Sequence, residues 1–376
     1  MTRYGLYRNF YDPYAREWQG GNSRWDLIDL VRTAYALRPE GIEWPQVDGR
    51  PSLRLELLTA ANGLEHGQAH DALSDVRATI ALARLIRERQ PRLYAYLYNL
   101  RSKHRLLEQI RLLEPMLHVS GRIGAERGYL TAVLPLAWHP LNRNALIVCD
   151  LGHSCQPLLD EPGEVLRERL YTRRDALGEG VLPVPLKLVH VNRCPVLLPL
   201  KVLREEDRRR LGMDLDGCLA QVAELAGCAE RWQDKLPLIY GPTEEGFAIS
   251  DPEQALYDGF LGDRDRRLCD RVRQASPEEL AVQSWPFDDS RLPELLFRYR
   301  ARNFPQSLTP PEQQRWFEFC RQRLNDPQQG APLTFAAFDE ALLAAGDNLP
   351  VEKAGVLGEW AAYVEKLRHR YAAEGQ

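Results

Sequence analysis

The sequence predicts an α+β multidomain protein, and three observations carry that prediction. The first ninety residues set apolar side chains at helical spacing and give no convincing strand. From about Leu117 short apolar runs broken by Gly, Asn and Pro take over, the pattern of a small antiparallel barrel or sandwich. Beyond about Phe247 helical spacing returns. Domains are therefore expected over residues 1–90, 91–245 and 246–376.

Taken in order, Ser23 reads as an N-cap with Asp26 three residues on, a weak capping box. Leu27, Leu30, Val31 and Ala34 mark one apolar face, and Pro39 and Gly41 close that helix. A second helix starts near Ser52, with Leu55, Leu57, Leu58 and Ala61 inside and Gly63 as its stop. A third starts near Asp71, with Leu73, Val76, Ile80 and Ala83 recurring until "RERQPR". Then "HVSGRIGAERGYLTAVLPLAWHPLNRNALIVCDL" and "VPVPLKLVHVNRCPVLLP" read as short strands, with helical pieces such as "DLDGCLAQVAELAGCAERW" between or after them. In the last part Thr309 and Glu312 form a capping box with Pro310 at the first helical position, and Trp316, Phe319, Cys320 and Leu324 follow at helical spacing.

Composition narrows the function classes. The 376 residues are 44% hydrophobic and 27% charged, with a formal net charge of −4. That balance argues against a wholly basic nucleic-acid binder, although a local basic groove is compatible with it. Only six of the 49 cations are lysines, and arginine forks suit phosphates and base stacking. A compositional bias of the genome explains the same count. Seven cysteines, none in C-x-x-C, read as reduced and mostly buried thiols without structural zinc, and with no signal peptide or membrane-length apolar run the chain is expected in the cytoplasm.

The chemistry-bearing stretch is "AHDALSDVRAT". His70 stands five residues before Asp75, at the entry to a helix. An aspartate there can hold a hard divalent cation, and a histidine can deprotonate a water bound to it. Helix-entry acids are equally explained by the macrodipole. The stretch "YRNFYDPYAREW" interleaves rings with arginines, a composition that suits single-stranded DNA. "LFRYRARNFP" repeats the alternation, so Arg298, Arg300 and Arg302 are candidates to line a groove while Phe297, Tyr299 and Phe304 pack inside. Trp138, Trp285 and Trp360 read as core or inter-domain packing. Asp251-Pro252-Glu253 is the one D-x-E in the chain and reads as a helix-entry turn.

Longer context gives these residues a family. "PSLRLELLTAANGLEHGQAHDALSDVRATIALARLI" resembles the third exonuclease motif of the DnaQ-like, RNase H-fold 3′→5′ exonucleases of the DEDDh type. "YRNFYDPYAREWQGGNSRWDLIDLVRTAYALRPEGIEWP", "HVSGRIGAERG", "LAWHPLNRNALIVCDL" and "LLFRYRARNFP…EQQRW" closely resemble the bacterial exodeoxyribonuclease I family. The resemblance implies a partial RNase H-like exonuclease domain, mostly its helices, then an SH3-like β-barrel domain and a C-terminal helical domain. It implies a monomer that removes 5′-mononucleotides from the 3′ end of single-stranded DNA, in repair or recombination, with two Mg²⁺ ions held by four acidic residues.

By the same resemblance His70 is the catalytic base and Asp75 a metal ligand. Arg54, Arg3, Tyr14, Trp18, Arg32 and Arg38 line the DNA path or its surroundings, with Arg54 near the scissile end. Arg38 and Tyr96 align with part of a pocket for the C-terminal tail of single-stranded DNA-binding protein. The family's own D-x-E and second aspartate align ahead of Met1. The expectation is therefore a truncated member, inactive alone, or a binding module for single-stranded DNA and the tail, or a gene-model fragment. Without the strands that carry those acids, the Leu27/Leu30/Ala34 and Leu73/Val76/Ile80 faces are expected to leave an exposed apolar patch or a loosely ordered first segment.

Overall fold

A computed structural model of the chain describes residues 2–65, 72–173, 176, 178, 180–242, 251–329, 331, 333–346 and 354–371. Two compact units divide the chain. One is Met1–Arg16 together with Glu245–Gln376, and the other is Glu17–Glu244.

The Glu17–Glu244 unit begins with α2 (Leu27–Leu37), following α1 (Thr2–Arg8) of the other unit, then α3 (Leu55–Ala61), α4 (Ala72–Arg89), α5 (Pro91–Leu100) and α6 (Lys103–Leu107). Asp26, not Ser23, caps α2: its carboxylate accepts from the Ile28 amide at 3.1 Å. Ser23 instead accepts a bond from Arg101 Nε at 2.8 Å. The first ninety residues also hold a two-stranded hairpin, β1 (Gln46–Val47) with β2 (Arg50–Pro51). Its turn is Asp48-Gly49, both at positive φ (51° and 72°), and that dipeptide is the signal the periodicity reading passed over.

A five-stranded antiparallel sheet follows: β3 (Met116–Val119), β4 (Leu130–Trp138), β5 (Ala145–Asp150), β6 (Leu186–His190) and β7 (Val196–Pro199), ordered β6-β5-β4-β3-β7. Pro135 cannot donate to the ladder, and the register of the central strand slips there, between Pro135 and Ala137. On one face Val133, Leu146, Val148 and Leu197 pack with Leu106 of α6 and Ile110, and the other face carries two clusters. Leu117, Val119, Leu130, Val196 and Leu198 pack with Leu30, Ala34, Leu82 and Ile86 of α2 and α4. Leu134, Ile147 and Cys149 pack with Trp232, Leu225 and Leu236. Between and after the strands come α7 (Gln156–Asp160), α8 (Gly163–Tyr171), α9 (Glu205–Arg210), α10 (Leu215–Gly227) and α11 (Lys235–Ile239).

The apolar-patch expectation divides. Leu30 and Ala34 are fully buried, because α2 lies on the sheet. Leu73, Val76 and Ile80 are 57%, 54% and 46% exposed. Helix α4 is apolar on two sides, and it is Ala78, Leu82 and Ile86 that it buries.

The other unit holds α12 (Asp263–Gln274), α13 (Pro277–Val282), α14 (Leu292–Asn303), α15 (Pro310–Asn325), α16 (Phe335–Gly346) and α17 (Ala354–Tyr371). Thr309 and Glu312 cap α15 as the sequence predicts. Helix α1 docks here: Tyr7 and Phe10 join Val272, Leu292 and Leu295 in one core. Phe10 takes a left-handed φ of 62° and sits between Phe287 and Tyr299, at 6.3 and 5.4 Å. Trp285 packs against that core, whereas Trp138 and Trp360 are exposed rather than internal. All seven cysteines are free thiols, four of them buried.

Candidate functional site

The His/Asp motif sits at the entry to α4. Asp75 lies in the first turn and is half-buried. His70 and Asp71 lie outside the described residues. Among the described residues no group of three or more His, Cys, Asp or Glu side chains is placed to hold a metal ion. One carboxylate does not compensate the dehydration of a magnesium ion, still less a pair of them, so the described residues do not fit the implied two-metal centre.

The D-x-E turn offers no substitute. Asp251 accepts two 2.9 Å bonds from Arg298, one from the Glu253 amide at 2.9 Å and one from Arg323 at 3.1 Å. Glu253 is buried and paired with Arg302 and Arg298. These carboxylates are satisfied by guanidiniums and close a helical core. Arg298 and Arg300 are themselves buried, the latter paired with Glu312 at 2.8 Å. The expected groove lining is thus overturned for Arg298 and Arg300, which acidic partners on neighbouring elements draw inward, while Arg302 pairs with Glu253 and stays exposed.

Several strand-path candidates do pair cations with rings. The Arg3 guanidinium lies 4.9 Å from the Tyr14 ring. Trp18 is 61% exposed. Arg54, at the N-cap position of α3, is exposed and pairs with Glu56. Arg32, on α2, bonds Asp29 at 2.7 Å and lies 5.7 Å from the Tyr129 ring, over Gly121. A Cβ at Gly121 would come within 2.5 Å of that guanidinium, so glycine is what lets the arginine lie down there. Burial pushes the Asp29 carboxyl above its usual range, and the Arg32 hydrogen bond opposes that shift.

Arg38 is the C-cap residue of α2 and joins a cluster the sequence reading missed. Asp207 of α9 is 1% exposed and takes Arg204 at 2.7 Å, Arg38 at 3.5 Å and Arg210 at 3.5 Å. Arg210 also donates to the Tyr35 and Ala36 carbonyls, at the end of α2, and lies 5.3 Å from the Tyr35 ring. Glu40 and Glu206 meet Arg204 from the more exposed rim. "EEDRRR" reads as a solvated charge run; only the packing of α9 against α2 singles out its middle residue. Tyr96 of α5 donates to Gln109 at 2.6 Å, and its ring packs on the core that holds Leu37 and Val202.

Comparison with known proteins places this geometry. Residues 101–242 match the exonuclease I SH3-like domain, and residues 250–367 the exonuclease I C-terminal domain. Exodeoxyribonuclease I of Escherichia coli K12 is 49% identical over 325 residues, which are 86% of this chain and 68% of that relative. A crystal structure of Escherichia coli exonuclease I in complex with a dA16 oligonucleotide superposes with a TM-score of 0.90 at 46% identity, covering 97% of this chain and 77% of that one. A structure of SSB/exonuclease I with the inhibitor CFAM does so with a TM-score of 0.83 at 43% identity, covering 97% and 76%.

Proposed function

The chain belongs to the exodeoxyribonuclease I family, and from that premise we propose that it grips single-stranded DNA and the acidic C-terminal tail of single-stranded DNA-binding protein. In this reading the helices up to residue 90 are those of an RNase H-like exonuclease domain, the sheet is the SH3-like barrel and the last helices form the third domain. The observation that carries it is the set of cations laid against rings: Arg3 on Tyr14 and Arg32 on Tyr129. Such pairs meet a phosphate and offer a π-face to a base at one place. Within the Glu17–Glu244 unit, Arg54 and Trp18 are further candidates for contact with the strand.

Arg38, Arg204 and Arg210 would take the tail's carboxylates, with Tyr96 beside its aromatic end. Three guanidiniums share one buried Asp207, and the rim carboxylates Glu40 and Glu206 balance the remaining charge. Glu40 and Glu206 are the groups an acidic peptide would displace.

The family's reaction is Mg²⁺-dependent 3′→5′ hydrolysis. To it this chain would contribute Asp75 as a ligand and His70 as the base. With no acidic set around Asp75 among the described residues, we take the 376 residues alone to bind without cleaving. The test pairs two measurements on the chain. A 3′-labelled oligonucleotide with Mg²⁺ should remain intact, while anisotropy shows salt-sensitive binding. Release of mononucleotides that is lost in His70→Ala would overturn the non-cleaving part. Absence of binding at low salt would overturn the reading as a whole.

A further inference from the structure

Arg32 rests on a part of the fold distant from it in sequence, and its pose is not the one its own hydrogen bonds would choose. From α2 it gives one bond to Asp29, through Nη1 at 2.7 Å. Its Nε is buried and, among the described residues, has no hydrogen-bond partner. A guanidinium at liberty to turn would bring that donor to water or to an acceptor, because a buried donor left unmet is costly. The plane of the group is therefore fixed by what it lies on.

Gly121 lies under it. A Cβ there would stand 2.5 Å from Nη2 and 2.7 Å from Cζ. Gly121 opens a short turn, Gly121–Ile123, just past the end of β3. Val119, two residues earlier, is paired on both sides, with Leu130 of β4 and Val196 of β7. The Ser120 amide donates to the Tyr129 carbonyl at 3.0 Å, and the Ser120 hydroxyl accepts from the Arg122 amide at 3.3 Å. Gly128 and Tyr129 both take a left-handed φ, 59° and 61°, ahead of β4, and the Tyr129 ring stands 5.7 Å from the guanidinium. The sheet thus holds the ledge, while α2 brings the arginine to it.

We propose that Gly121 is a positioning residue for single-stranded DNA: its missing side chain is the ledge on which Arg32 is presented to a phosphate. The inference rests on the binding function proposed above, and it gives the segment matching the SH3-like domain a part that acts through α2. The physical gain is pre-organisation: a guanidinium already held in one plane loses less freedom on binding than one that samples many rotamers. One methyl group can undo it. Gly121 is not among the glycines at positive φ, so its backbone accepts alanine, and the atoms in the way are the tip of a flexible side chain. Gly121→Ala should therefore lift Arg32 off the ledge and leave the fold intact.

The test is a double-mutant cycle on the full chain, with fluorescein-labelled oligo-dT followed by anisotropy across a salt series. Arg32→Ala should weaken binding about 5-fold or more and make the slope of log K against log salt shallower by about 0.7, the share of one phosphate. Gly121→Ala should weaken binding about 3-fold or more in the unaltered chain, and by less than about 2-fold in the Arg32→Ala background, because both substitutions remove one interaction. Urea midpoints of Gly121→Ala and the unaltered chain should coincide. If Gly121→Ala binds like the unaltered chain, this inference falls and the proposed function stands. The same holds if it weakens both backgrounds by one factor, which is also how a damaged fold would read. If Arg32→Ala binds as tightly as the unaltered chain, the inference falls together with the role given to Arg32, while Arg3 and Tyr14 keep theirs. If the unaltered chain binds no oligonucleotide, both readings fall.

Discussion

His118 lies inside the sheet, its Nδ1 2.9 Å from the Val196 carbonyl oxygen, with Lys187 and Asp150 in its electrostatic surroundings. Burial lowers its pKa from 6.5 to about 4. The imidazole is therefore neutral when folded and takes up a proton near pH 6.5 when unfolded. The unfolded state binds more protons between those values, so stability falls as pH drops from 6.5 toward 4. A span of that width corresponds to about 3 kcal/mol. Urea unfolding followed across this window should show the slope in the unaltered protein, and His118→Gln should flatten it; an unchanged slope in the variant would exclude His118 as the source. The same scale holds Arg298, which binds Asp251 and Glu294 and lies 4.1 Å from the Phe319 ring. Arg298→Ala would remove the buried guanidinium shared by Asp251, Glu253 and Glu294 and should cost about 3–5 kcal/mol, whereas an exposed charge such as Arg54 should cost under about 1 kcal/mol on removal. Comparable losses in denaturant titrations of the two variants would contradict the structural role given to Arg298. In sequence these two arginines look alike, because a charge's burial is set by which helices arrive beside it.

Helix α4 was legible as a helix, and its outward side was not. Leu73, Val76, Ile80 and Ala83 satisfy the helical period, but so do Ala78, Leu82 and Ile86. A helix apolar on two sides cannot declare which one faces the sheet. The structure buries the second set against α2 and the sheet. Val76→Ser with Ile80→Ser should therefore change stability by less than about 0.5 kcal/mol, while Ile86→Ala should cost about 2–5 kcal/mol. A large loss from the serine pair would mean that this side is covered in solution. Elsewhere the local signals hold at their own scale. The Thr309/Glu312 box caps α15 because both partners lie within four residues of sequence. Asp26 displaces Ser23 as the α2 cap because the first helical amides lie within reach of its carboxylate.

At the scale of the whole molecule, the cores are segregated between the two units. Val272, Leu280 and Leu295 lie in one, and Leu117, Leu134 and Val148 in the other. Calorimetry should then register Arg298→Ala in one component of unfolding and the His118 pH dependence in a different one. A single transition that shifts as a block under both perturbations would exclude separate cores as cooperative units. The family and the order of its SH3-like and C-terminal parts were readable from the sequence by itself, since motifs of many residues in one order leave little room for chance. The helix periods and the capping box were readable too, because their interactions close within a turn. What only the tertiary structure decided are the pairings across long separations: Asp207 beneath Arg38, Arg204 and Arg210; the D-x-E turn consumed by Arg298, Arg302 and Arg323; Phe260 beside Tyr14. The physical reason is that a side chain's charge and shape are local, but its burial and its partners belong to the surfaces that fold against it.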